Sequence, residues 1–186
     1  MAPFRFDKLT VKAQEAVQAE REGARSYPER PPRPEIGDAG GVLCSAQLES
    51  SVPGIFTAGD ICEYDSPVHG RQIRIEHWDV AFNQGKTAGL NMLGRGVEHD
   101  VVPYFFSDLA DWTSMEYVGP GTGDPVVRGS LDAGDFTAFY VKDGRVVAAL
   151  TVGRSDDLET AKRLMVSRAQ VDPAALADES QDLGSL

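Results

Sequence analysis

The sequence has no apolar run approaching the ~20 residues that a membrane span requires. Its opening, Met1-Ala2-Pro3-Phe4-Arg5-Phe6-Asp7-Lys8, has no apolar core followed by a small-residue cleavage site. No secretory signal is read there, so the expected compartment is the cytoplasm, with no membrane partner. Cysteine is scarce. Cys44 and Cys62 are the only two and are not spaced as a CxxC pair, which excludes a disulfide framework and argues against a dithiol redox centre. The three histidines, His69, His77 and His99, lack i, i+4 spacing, so no metal is expected. Positive charge is also short: 18 Lys and Arg face 29 Asp and Glu, a net charge of −11. Such a surface repels polyanions on average, and Arg71 and Arg74, set among carboxylates, are too few for a basic patch. Nucleic acid is therefore not an expected partner. A Gly-x-Gly-x-x-Gly turn is missing as well. Gly119-Pro120-Gly121-Thr122-Gly123 is glycine-rich, but Pro125 follows and no amphipathic helix does, so it reads as a loop between strands.

What is present suits one medium domain or two small ones: 186 residues, 41% apolar and 25% charged. Residues 4–22 read as a helix that Thr10 can cap, with Val11, Gln14, Ala16 and Val17 as a partial stripe. Residues 23–41, with Pro28, Pro31, Pro32, Pro34 and several glycines around them, read as an extended linker. Two short strands are expected at Val42-Leu43-Cys44 and Ile55-Phe56-Thr57-Ala58, and a loop from Glu63 to about Gly70. The clearest helix is Glu76 to Leu93. Trp78, Ala81, Phe82, Gly85, Ala88, Gly89, Met92 and Leu93 share one face, which is expected to be buried, with Gly85 and Gly89 admitting another backbone. Gly94 supplies a left-handed stop.

Beyond residue 100 the pattern changes. Met115 to Gly119, Val126 to Ser130, Phe136 to Val141 and Arg145 to Val152 read as four strands, the last two joined by the hairpin signal Asp143-Gly144. Ser155 can cap a helix running to Arg168, with Asp156 and Asp157 in its first turn. Asp172-Pro173 opens a last short helix. The whole reads as α+β: a truncated Rossmann-like corner, then an antiparallel sheet with helices on one face.

Three segments carry chemistry. In Ser50 to Asp60, a strand expected to be buried ends in Ala58, Gly59 and Asp60. The small residues let a ligand approach the backbone, and the carboxylate can accept hydrogen bonds from ligand hydroxyls at the strand's C-terminal end. This stretch resembles the second flavin-binding motif of the two-dinucleotide-domain flavoproteins, above all the ferredoxin and rubredoxin reductases and apoptosis-inducing-factor-like oxidoreductases. The resemblance implies that Gly59 and Asp60 hold the ribityl chain of FAD. The second segment, Arg74 to Gly85, is similar to the family's helix beside the isoalloxazine ring, which makes Glu76, His77 and Trp78 cofactor contacts. Independently, a helix N-terminus offers free N–H groups and about half a positive charge, which suits the negative charge of reduced flavin. The third, Val102 to Leu109, resembles the entry to the reductases' C-terminal domain. Phe106 stands where Trp is frequent, so an aromatic contact to the flavin region or to a partner protein is kept and an indole N–H is lost.

The resemblance spans residues 40–177 and implies a FAD-dependent NAD(P)H oxidoreductase acting on a ferredoxin-type, rubredoxin-type or quinone-like acceptor. Its domains would be a leader helix at 1–22, the linker at 23–41, part of a FAD-binding domain at 42–95, a reductase C-terminal domain at 101–177 and a tail at 178–186. Phe6 to Val17 also resembles the first helix of the N-terminal domain of Clp-type AAA+ chaperones. Both glycine-rich dinucleotide turns of a whole enzyme are missing. Pyrophosphate anchoring contributes much of dinucleotide affinity, so FAD binding by the chain alone is expected to be weak or absent, and NAD(P)H binding to need the missing domains. The expected partner is a second copy or a complementing chain that carries them. The alternative is a non-catalytic dimerisation module or an inactive fusion product.

Overall fold

The computed structural model describes residues 32–186. The expected leader helix and residues 23–31 of the expected linker lie outside the described residues. The chain divides at Arg33/Pro34, and Pro34–Leu186 forms one folded unit. Its fold class is the α+β arrangement expected from the sequence, in two sheets.

The first sheet has the order β1 (Val42–Cys44), β2 (Cys62–Ser66), β3 (Arg71–Arg74). β1 and β2 pair parallel, with Val42 opposite Cys62, whereas β2 and β3 form an antiparallel hairpin. Cys44, Leu48, Cys62, Tyr64, Ile73 and Ala88 make its core. Residues within the expected linker are tied to it. Ile36 bridges to Val42, and the buried Glu63 carboxylate accepts hydrogen bonds from Ala39 N and Gly41 N, each at 3.1 Å.

Two expectations fail here. Ile55–Ala58 is not a strand: Phe56 makes one isolated bridge to Glu49, and the chain then turns through a 3-10 segment, Gly59–Ile61. The expected loop from Glu63 instead supplies most of β2 and the turn into β3. Cys-Glu-Tyr-Asp-Ser carries too many polar residues to read as a strand, yet Cys62, Glu63, Tyr64 and Ser66 are all buried in this context.

Helix α1 (Trp78–Met92) begins and ends within two residues of expectation, but most of its expected buried face is turned outward, Ala88 alone of those residues being buried. Val80, Gln84, Thr87, Ala88 and Asn91 face the protein. Trp78, Phe82, Met92 and Leu93 are 75%, 51%, 63% and 75% exposed. A Cβ at Gly85 or Gly89 would meet nothing within 4 Å, so no backbone packs there. The polar side chains turned inward make hydrogen bonds, with Gln84 Nε2 alone of their groups lacking a partner among the described residues. Asn91 Nδ2 donates to Gln47 O and Val97 O, and Thr87 Oγ1 lies 3.1 Å from His99 Nδ1. Internal partners thus outweigh the apolar pattern.

The second sheet is five-stranded and antiparallel, in the order β4 (Tyr104–Leu109), β5 (Thr113–Val118), β8 (Arg145–Val152), β7 (Asp135–Lys142), β6 (Asp124–Ser130). Four strands were expected, and β4 is the fifth. Asp143 and Gly144 turn β7 into β8 with φ of 50° and 72°, as the hairpin signal predicts. Helix α2 (Asp157–Ser167) covers one face with Leu158, Ala161, Leu164 and Met165. Its N-cap is Asp156, and Ser155 donates to Glu116 instead of capping. Asp172 caps α3 (Pro173–Ala177), its Oδ1 accepting from Ala174 N at 2.9 Å.

Residues 178–186, expected as a tail, are packed. Leu183 joins the core, and the buried Arg128 guanidinium donates to Leu176 O, Asp178 O and Gln181 O. No helix among the described residues is long and apolar enough to cross a membrane.

Candidate functional site

Gly59 is buried with φ +78°, a conformation glycine adopts without strain, and its N–H donates to Gln84 Oε1 at 2.7 Å. That bond ties the Gly59–Ile61 turn to α1. A Cβ on Gly59 would approach Ala81 Cβ to 3.4 Å, so helix and turn are in contact. The Asp60 side chain is exposed, while its carbonyl accepts from Arg74 Nε at 2.6 Å. Arg74 also donates to Ala39 O and pairs with Glu76 at 2.6 Å, which draws the exposed Glu76 carboxylate toward β3.

His77 occupies the N-cap position of α1 in an extended conformation, and its side chain makes no capping bond. The N–H groups of the first turn precede any i−4 carbonyl of the helix and are therefore available to a ligand. Asp79 in that turn partly offsets the dipole charge. The His77 ring lies 4.7 Å from the Phe105 ring, and its Nδ1 is buried without a hydrogen-bond partner among the described residues. Burial pushes the imidazole below its ordinary pKa, against the pull of the Asp60 and Asp79 carboxylates. Trp78 stacks on Phe82 with centroids 5.5 Å apart and planes within 6°.

His77, Trp78 and Asp79 form one wall of a cleft of about 250 Å³, and Tyr104, Phe105 and Phe106 of β4 form the other. The Tyr104 hydroxyl donates to Glu116 Oε1 at 2.8 Å, and burial together with that carboxylate pushes it up to about 12. Of the residues singled out in the sequence, the cleft gathers His77, Trp78 and Phe106. Gly59 and Asp60 sit on the turn beneath the helix start, and Glu76 is engaged with Arg74. Sequence reasoning missed Gln84, which is fully buried. Only its place on the face opposite the apolar stripe could have pointed to it. It also missed Phe105, because β4 was not recognised as a strand.

Residues 104–186 match the family described as "Reductase C-terminal". This part of the chain is a reductase C-terminal domain. The chain is 37% identical over 146 residues to the ferredoxin–NAD(+) reductase component of the anthranilate 1,2-dioxygenase system of Burkholderia cepacia, covering 77% of this chain and 36% of the relative. It is 31% identical over 145 residues to putidaredoxin reductase of Pseudomonas putida, covering 77% and 34%. Among solved structures, the ferredoxin reductase for the CYP199A2 system of Rhodopseudomonas palustris superposes with a TM-score of 0.71 at 29% identity, covering 81% of this chain and 37% of that one. Putidaredoxin reductase in covalent complex with putidaredoxin superposes with a TM-score of 0.72 at 28% identity, covering 90% and 38%. The chain therefore spans about a third of the length of the curated relatives it matches.

Proposed function

We propose that the chain forms the flavin-ring side and the C-terminal domain of a FAD-dependent NAD(P)H oxidoreductase that passes electrons to a ferredoxin-type acceptor. The two dinucleotide-binding halves would come from further polypeptide. The observation that carries this reading is the inverted helix α1. Its aromatic and aliphatic face, Trp78, Phe82, Met92 and Leu93, is open, while its polar face is packed inside. An exposed apolar face of this kind marks a surface that another protein element covers.

The residues fit the ring end of the cofactor. The α1 start has no side-chain cap, the His77 Nδ1 has no partner among the described residues, and the facing strand is aromatic. Asp60 would accept from the ribityl hydroxyls. The first-turn N–H groups and His77 would meet the ring edge where charge accumulates on reduction. Trp78, Phe105 and Phe106 would exclude water. FAD, when bound, would supply the redox chemistry between NAD(P)H and the acceptor. The pyrophosphate end does not fit, because the sequence holds no Gly-x-Gly-x-x-Gly turn opening a helix to hold it.

The test is reconstitution. The chain alone, mixed with FAD, is expected to retain little visible flavin absorbance and to oxidise no NAD(P)H. Addition of polypeptide carrying the two nucleotide-binding halves should restore both, and Asp60→Ala should reduce flavin retention in that complex. NADH-dependent dye reduction by the pure chain, abolished by Asp60→Ala, would refute the assignment. The same open helix face also favours a second reading, a non-catalytic module that dimerises through α1. That reading predicts a colourless dimer dissociated by Trp78→Ser.

A further inference from the structure

We propose that the groove between the β2–β3 turn, the β7–β8 turn and the end of α2 binds a small molecule carrying linked phosphates, of the pyrophosphate or nucleoside-diphosphate class. This does not rest on the flavin reading. Two adjoining hollows, of about 210 and 410 Å³, share His69, Lys142 and Val147 in their walls. Their size is that of a small-molecule site. Arg145 and Arg168 line the smaller and Arg71 the larger, with Lys142 at the junction. Each lobe thus has its own cation, an arrangement that suits two linked anionic groups. Asp143 is the one carboxylate among the lining residues.

Among the described residues, no carboxylate forms an ion pair with these cations. Arg168 Nε and Nη2 donate to Val68 O at 3.2 Å and Pro67 O at 2.9 Å, and Arg71 Nη2 reaches Pro120 O at 3.5 Å. All three acceptors are neutral carbonyls, and the two on Arg168 hold its guanidinium in place without neutralising it. Among the described residues, ion pairs form at Arg74, Arg154 and Lys162, and none forms at Arg71, Lys142, Arg145 or Arg168. Four cations without an ion pair among the described residues gather around one groove, beside the single carboxylate of Asp143, in a chain of net charge −11. A bound dianion relieves their mutual repulsion and gains charge-assisted hydrogen bonds.

His69 adds a polar group without a partner. Its Nε2 is buried and makes no hydrogen bond among the described residues. Burial, with Arg71 and Arg168 nearby, holds the imidazole down to about 4, so the ring is neutral and keeps one N–H to give. Val68, Val146, Val147 and Met165 add apolar wall to the hollows, which suits an organic moiety attached to the phosphates.

The full chain titrated with sodium pyrophosphate at low ionic strength should bind saturably by calorimetry, with Kd below roughly 1 mM. Lys142→Gln and Arg71→Gln should each weaken binding about tenfold, a typical loss for one charge-assisted contact. Arg168 is left intact because it anchors the β2–β3 turn. By NMR, the His69 protonation midpoint should rise from about 4 on binding, as the anion offsets Arg71, Arg145, Arg168 and Lys142. ADP binding more tightly than pyrophosphate assigns the apolar wall to the organic moiety, and equal affinity assigns the site to the phosphates alone. Absence of saturable pyrophosphate binding would overturn the proposal. So would affinity unchanged in a folded Arg71→Gln, Lys142→Gln double variant. A glutamate-rich peptide that binds more tightly than either probe would also overturn it, and would make the groove a protein-docking surface.

Discussion

Replacing Trp78 by Ser should cost the isolated chain less stability than replacing Val80 by Ser, although the tryptophan is by far the larger side chain. Trp78 is 75% exposed, so about a quarter of its roughly 200 Å² is out of water, ~50 Å². At about 25 cal/mol per Å² this contributes about 1 kcal/mol. Val80 is 2% exposed. Its two methyl groups are worth about 1.6 kcal/mol, and an unpartnered hydroxyl in their place adds about 1–2 kcal/mol, for a total of roughly 3 kcal/mol. Urea denaturation of the two variants at one protein concentration measures the difference, with midpoints compared at constant m. Equal losses would show that α1 buries its apolar face in solution, and would remove the basis for an open docking face. Repeating the measurement at tenfold higher protein concentration separates burial within one chain from self-association.

Limited proteolysis should cut first on the N-terminal side of Glu35, where Pro28, Pro31, Pro32 and Pro34 cluster in the sequence. It should spare Asp135–Val152, the central hairpin of the larger sheet, and early cleavage there would contradict that division. Glu63→Ala leaves Ala39 N and Gly41 N without their acceptor and should lower unfolding free energy by about 2–3 kcal/mol, read by chemical denaturation. His69 is held at about 4 in the folded state against 6.5 for a free imidazole. The unfolded chain therefore binds the extra proton first. The contribution of His69 is fully present above pH 6.5 and is lost as pH falls toward 4. His69→Gln should flatten the stability profile across that window, and an unchanged slope would show that another group sets it.

The sequence by itself determined the elements whose signals are local. Asp143-Gly144 dictates a two-residue hairpin because both positions need positive φ. Asp172-Pro173 dictates the start of α3, since the aspartate accepts the N–H that proline's neighbour leaves free. The Gly59-Asp60 turn and the Glu76-His77-Trp78 helix start were legible as chemistry-bearing because small residues, a carboxylate and a helix N-terminus state their capacities without reference to the rest of the chain. The tertiary structure decided everything that depends on which face meets which partner. The apolar stripe of α1 was legible, but its outward direction was not: Gln84, Thr87 and Asn91 find hydrogen-bond partners inside that no sequence period can announce. β2 was hidden because its buried Glu63 is satisfied by backbone N–H groups distant in sequence, and no apolar run marks the strand. The sequence shows no basic patch because Arg71, Lys142, Arg145 and Arg168 are separated along the chain. Folding of turns and a helix end against one another brings their charges to one groove, since electrostatic fields add in space and not along the polypeptide.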